Sequence, residues 1–170
     1  MGSFSSIFSN YFAKLYVGMP ESATLIVPRI WLGDRHASSD QRFIEENHIG
    51  VVFNCTKDLP FYNYALRQYR LPVDDNLKDH EIRNMEKWAP EAVYKVVAEY
   101  NRGENILIHC YAGMQRSAAL VAMTCIVLFN ETADEAIDFI RSKRDIAFFP
   151  GENFGQAIRG FEKKFYNYNK

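Results

Sequence analysis

Apolar residues recur along this chain with two different periods. Short β-branched or leucine-rich runs, clearest at Ile49-Gly-Val-Val-Phe53 and Ile106-Leu-Ile108, predict strands near 24–27, 30–33, 50–55, 68–73 and 105–109. Between them, apolar positions three and four apart predict helices near 37–47, 79–101, 117–129, 133–144 and 153–167. Thr132 stands where an N-cap belongs, with Glu135 three residues on and Asp134 in the first turn. Strands alternating with helices predict an α/β domain, a central and mostly parallel twisted sheet of about five strands flanked by helices. Ligands of such sheets gather at the carboxyl ends of the strands, here at the strand that ends in His109.

Composition narrows the class. A chain of 170 residues at 48% hydrophobic fits one domain, a size at which about 70% of the unfolded surface is buried. The three cysteines show neither a disulfide framework nor metal-ligand spacing, which points to a reducing compartment, cytoplasmic or nuclear. A net charge of −1 argues against a general nucleic-acid binder or a polybasic membrane protein. No apolar run approaches the roughly 18–20 residues needed to span a bilayer.

The chemistry concentrates at Ile106-Leu-Ile-His109-Cys110-Tyr-Ala-Gly113-Met-Gln-Arg116-Ser117, which runs strand, cysteine, five residues, arginine and then helix. A loop from Cys110 to Arg116 can turn its backbone N–H groups inward, and a helix starting near Ser117 adds a positive N-terminal end. Both features favour an anion. The same field favours the thiolate of Cys110, since a cysteine at a helix N-terminus can have its pKa lowered to roughly 3.5–7.5. Arg116 adds a planar fork able to hold two phosphate oxygens at once, and Gly113 permits the tight inward turn.

The residues at 109–117 resemble the signature of the cysteine-dependent protein tyrosine phosphatases, His-Cys-x5-Arg-Ser. The rest of the chain narrows the resemblance to the small, atypical dual-specificity phosphatases. Ile30-Trp-Leu-Gly33, Ala37 and Ile49 to Thr56 resemble that family's opening strands, and Leu71-Pro-Val-Asp-Asp75 its acid loop. Lys143-Arg144, followed by Phe154, Gln156 and Glu162, resembles its C-terminal segment. The likeness covers roughly residues 24–166, and Gln115 departs from the small residue many members carry before the arginine.

The resemblance implies a metal-free and cofactor-free hydrolysis of phosphoprotein substrates carrying phosphotyrosine, phosphoserine or phosphothreonine. Cys110 attacks phosphorus, Asp75 protonates the leaving oxygen, and Ser117 assists the departing sulfur. Arg116 and the loop residues Tyr111, Ala112, Gly113, Met114 and Gln115 hold the phosphoryl oxygens through their N–H groups. Strand alternation puts Asp75 on the face of Leu71 and Val73, with Asp74 and Asp79 as the other candidates. His109 reads as a residue behind the loop that orients it and supports the thiolate, or as a satisfied strand-end histidine. Cys55 reads as a small core residue, or, as in some relatives, a redox partner of Cys110.

The expected organisation is an N-terminal amphipathic helix over 1–20 and a catalytic domain over 24–167. Phe4, Ile7, Phe8, Tyr11, Phe12, Leu15 and Tyr16 share one helical face. That stripe suits packing on its own domain, a membrane surface or, the favoured reading, a partner subunit in a homodimer. Met1-Gly2-x-x-x-Ser6 matches the myristoylation pattern, and membrane contact is expected only if Gly2 carries that chain. Three other functions share parts of the motif. A phosphate-binding scaffold would not need all of Cys110, Arg116 and an acid-loop Asp. An RNA 5′-phosphatase would carry a basic footprint. A phosphoinositide phosphatase would favour lysines within the loop.

Overall fold

The structure, a computed structural model, describes residues 21–168. The expected helix over 1–20 therefore lies outside the described residues. The apolar runs form β1 Ala23–Val27, β2 Ile30–Gly33, β3 Ile49–Asn54, β4 Arg67–Arg70 and β5 Asn105–His109. They make one sheet in the order β1-β2-β5-β3-β4. Only β1 and β2 pair antiparallel; β2 with β5, β5 with β3, and β3 with β4 are parallel.

The helices are α1 Arg35–Ser39, α2 Gln41–Glu46, α3 Asp79–Asn101, α4 Arg116–Phe129, α5 Ala133–Lys143 and α6 Gly155–Tyr168. The last four cover one face of the sheet, and α1 with α2 cover the other around Ala37, Ile44, Val52 and Leu107. This explains why the central strand reads as an unbroken apolar run. Ile106, Leu107 and Ile108 are all fully buried because both faces are covered. Helix α4 is buried from Ser117 to Ile126 and ends at Asn130, which takes a left-handed conformation. At α5 the expected cap is present, with Thr132 and Glu135 bonding reciprocally.

Two elements differ from the pattern. The helix expected over 37–47 is two short helices broken at Asp40, which is extended at ψ 95°. Asp40 accepts from Phe43 N–H, and Asp34 accepts from the His36 and Ala37 N–H groups, so each short helix has its own cap. The strand expected over 68–73 stops at Arg70. Leu71 N–H still donates to Asn54 O at 2.9 Å, but Pro72 has no N–H with which to continue a ladder. The alternation argument for Asp75 thus runs out before it reaches that residue.

What replaces the strand is an ion cluster. Glu81, in the first turn of α3 and only 1% exposed, pairs with Lys57 and accepts from the Asp74 N–H at 3.0 Å. Lys57 also reaches Asp74 Oδ2 at 3.1 Å. Burial would raise the Glu81 carboxyl, but these partners and Asn84 outweigh it and hold the pKa at about 2. A carboxyl lowered on folding stabilises the protein above its unfolded value, about 4.3, and loses that stabilisation as pH falls toward 2. Glu81→Gln should therefore lower stability at pH 7 by on the order of 2 kcal/mol, allowing for the partly exposed Lys57. Urea unfolding of that variant should also vary less between about pH 4.5 and 2 than in the parent. An equal acid response in both proteins would reject the assignment.

Candidate active site

Strand β5 delivers His109 to the level of Gly33 and Asn54, the last residues of its two neighbours. The chain then turns through 110–115 and enters α4 at Arg116. Loop carbonyls point outward and are held there. Tyr111 O accepts from Arg35 N–H at 3.2 Å, and Met114 O from Phe148 N–H at 2.8 Å. Arg144 Nε donates to Gly113 O at 3.0 Å, and its Nη2 to Ala112 O at 3.4 Å. With the carbonyls tied outward, N–H groups are left facing the sulfur, those of Met114 and Ser117 among them.

Gly113 makes the turn at φ +65°, and a Cβ there would lie 2.6 Å from Gly33 O. No other residue fits this approach. Arg144 is 3% exposed, and besides the loop it binds Glu21 O at 2.6 Å and Thr24 Oγ1 at 3.0 Å. It clamps the loop to the entry of β1.

Cys110 is buried, and its Sγ accepts the Ser117 hydroxyl at 3.1 Å. Burial alone would push the thiol up. The Arg116 guanidinium, the Ser117 hydroxyl and the two N–H groups outweigh it and hold the thiol below its ordinary value. Cys55 and Cys125 behave oppositely. Burial, reinforced by neighbouring Cys110, pushes Cys55 well above the usual thiol range, and burial with nearby Glu131 pushes Cys125 to about 12. Burial also lowers His109 to about 4, so it is neutral near pH 7. Its Nδ1 lies 3.4 Å from the Cys110 carbonyl, and any support for the thiolate runs through the loop rather than through charge.

Arg116 reaches Val73 O with Nη1 at 3.2 Å, while its buried Nε has no protein acceptor. A cavity of about 280 Å³ is lined by Cys110, Arg116 and Gln115, and by Asp75, Phe149 and Asn153 at its sides. Asp75 accepts from Asn153 Nδ2 at 2.7 Å. Asp74 is turned toward Lys57, and Asp79 begins α3. Of the three candidates only Asp75 lines this cavity. A larger apolar groove of about 390 Å³ between α3 and α6 shares no lining residue with it and is lined by no cysteine. Among the described residues, no group of three or more His, Cys, Asp or Glu side chains could hold a metal ion.

The arrangement suits attack on a tetrahedral oxyanion by a thiolate. It brings together Cys110, Arg116, Ser117 and Asp75, with Cys55 adjoining beneath the loop, where its N–H donates to His109 O at 2.8 Å. Sequence reasoning missed the Arg144 clamp and the Asn153 contact. The sequence carries no burial signal for Arg144, which sits among exposed charges, and Asn153 reads as an ordinary loop residue.

The profile of the family described as "Dual specificity phosphatase, catalytic domain" matches residues 30–164. Among curated proteins, mouse "Dual specificity protein phosphatase 2" is 30% identical over 122 residues, 71% of this chain and 37% of that protein. Human "Dual specificity protein phosphatase 1" is 26% identical over 140 residues, 82% of this chain and 37% of that protein. The chain thus spans well under half the length of these relatives. Among solved structures, human DUSP28 superposes with a TM-score of 0.77 at 18% identity, covering 87% of this chain and 97% of that one.

Iodoacetamide should alkylate Cys110 before Cys55 or Cys125, with a rate midpoint below the free-thiol value of about 8.5. Ser117→Ala should move that midpoint upward by removing a donor to the sulfur. A midpoint at or above the free-thiol value in the parent would reject the thiolate.

Proposed function

Because this chain belongs to the dual specificity phosphatase catalytic-domain family, we propose that it hydrolyses phosphate esters of tyrosine, serine and threonine side chains in proteins through a phosphocysteine intermediate. The observation that carries this is the placement of Cys110, its sulfur bonded by the Ser117 hydroxyl, on the same cavity as Arg116 and Asp75.

In the first half-reaction the Cys110 thiolate attacks phosphorus in line, the P–O bond to the side chain breaks, and Asp75 gives its proton to the departing oxygen. In the second, Asp75, now ionised, takes a proton from water as the water oxygen attacks phosphorus. The P–S bond breaks, inorganic phosphate leaves, and the Ser117 hydroxyl supports the returning thiolate. Arg116 and the inward N–H groups of residues 111–116 bind the three non-bridging oxygens throughout. No step calls on a metal. A wide, shallow cavity with Tyr111 and Phe149 exposed nearby supports acceptance of both aryl and alkyl phosphates.

A thiolate nucleophile works only where thiols stay reduced, which favours the cytoplasm or nucleus. It is also the first thiol to be oxidised. Peroxide would convert Cys110 to a sulfenic acid, and the neighbouring Cys55 thiol could then condense with it, releasing water and leaving a disulfide. Mild peroxide should thus inactivate the enzyme reversibly and give a Cys55–Cys110 disulfide by mass spectrometry. A sulfinic acid at Cys110 beside reduced Cys55 would return Cys55 to a packing role.

Cys110→Ser should abolish turnover of both phosphotyrosine and phosphothreonine peptides while retaining phosphate binding. Asp75→Ala should lower kcat/KM by about 10²-fold or more for poor leaving groups, and far less for good ones. Asp74→Ala should show no such dependence. The reverse pattern in the two aspartate variants would move the acid to Asp74, and full activity in Cys110→Ser would overturn the mechanism.

A further inference from the structure

Gln115 caps nothing in its own helix. It occupies the N-cap position of α4 without a side-chain cap bond, yet it is only 4% exposed. Its carboxamide turns away from the helix into the loop between α5 and α6. There Nε2 donates to Phe149 O at 3.1 Å and to Gly151 O at 2.8 Å. Oε1 accepts from the Asn153 N–H at 3.0 Å. Both donors and the acceptor of a buried amide are thereby used on three main-chain groups within five residues. Such full satisfaction inside a low-dielectric site holds a loop in one position.

The Asn153 side chain continues the chain of bonds by donating to Asp75 Oδ1 at 2.7 Å. Among the described residues this is the only hydrogen-bond partner of the Asp75 carboxyl. Asp75 itself arrives on irregular backbone beyond the end of β4, with no sheet ladder to hold it. The nucleophile loop and the acid are thus joined by a bonded path, Gln115 to Asn153 to Asp75.

The geometry points to Gln115 and Asn153 as positioning residues that hold the Asp75 carboxyl at a set place relative to Cys110. This rests on the assignment of Asp75 as the proton donor. Neither residue touches the reacting atoms through its side chain. Holding Oδ1 leaves Oδ2 as the oxygen that carries the proton. The requirement at position 115 is narrow. Asparagine is one methylene shorter and would not span both carbonyls. Glutamate would set an acceptor against them and a negative charge beside the thiolate. Methionine keeps the shape and removes all three bonds.

The test uses the full chain with Gln115→Met, Asn153→Ala and Asp75→Ala, singly and with each of the first two in the Asp75→Ala background. Turnover of aryl phosphates is followed from nitrophenyl, a good leaving group, to phenyl, a poor one, and inorganic phosphate is titrated as a competitive inhibitor. Gln115→Met and Asn153→Ala should each lower kcat/KM for phenyl phosphate about tenfold or more, and for nitrophenyl phosphate much less. In Asn153→Ala, phosphate inhibition should stay within about twofold of the parent, and neither substitution should add a loss in the Asp75→Ala background. Asn153→Ala leaves the buried amide intact, so it reads the path even if Gln115→Met folds poorly. Additive losses with Asp75→Ala, or weakened phosphate inhibition in Asn153→Ala, would overturn the positioning role alone. No leaving-group dependence in Asp75→Ala would overturn the acid assignment and the positioning role with it.

Discussion

For Cys110 to give up its proton, the sulfur anion has to be stabilised inside protein, where burial by itself would keep the proton on. Taking a charge out of water costs several kcal/mol unless fixed dipoles and counter-charges replace the lost hydration. Here the replacements are the Arg116 guanidinium, the Ser117 hydroxyl and inward N–H groups. Each acts only if the loop keeps its shape, and the shape is held from outside. The outward carbonyls of Tyr111, Ala112, Gly113 and Met114 are tied to Arg35 at the start of α1 and to Arg144 and Phe148 in the segment that follows α5. Much of the packing around β5 serves to keep that ring of dipoles aimed at one atom.

The same requirement explains a division of labour among like residues. Three cysteines are buried, yet only one is held below the ordinary thiol value, because only Cys110 faces both Arg116 and a helix start. Two adjacent aspartates at 74 and 75 also part company. Asp74 joins Lys57 in the ion cluster around Glu81, which pins the loop from one side and leaves Asp75 to line the cavity. Pinning one carboxylate at Lys57 leaves only its neighbour on the cavity.

The loop between α5 and α6 supplies a second wall and is bonded to the nucleophile loop at several points. Phe148 bonds Met114, and Gln115 bonds Phe149, Gly151 and Asn153, while Arg141 of α5 braces the wall itself by pairing with Glu152 at 2.9 Å. Cys110 and Asp75 therefore sit on one connected framework, although 35 positions separate them in sequence. Catalysis by positioned groups depends on this kind of rigidity, since misplacement of about 1 Å is costly in rate.

Much was legible in the residues because it is local. Period-2 and period-3.6 patterns located the five strands and the long helices, and the Thr132–Glu135 spacing located the start of α5. Cys110, Gly113, Arg116 and Ser117 lie within eight residues, so one strand–turn–helix unit specifies their arrangement. Apart from the break at Asp40, which is itself local, the rest depends on contacts made as separate elements pack. The break at Asp40 follows from two short-range caps competing with helical periodicity. The early end of β4 follows from Pro72 and the pull of Glu81 on the Asp74 N–H. The burial of Arg144, the turn of Gln115 toward Phe149 and Gly151, and the meeting of Asn153 with Asp75 leave no periodic mark. Each is a hydrogen bond formed only after the elements have packed, so tertiary structure alone decided them.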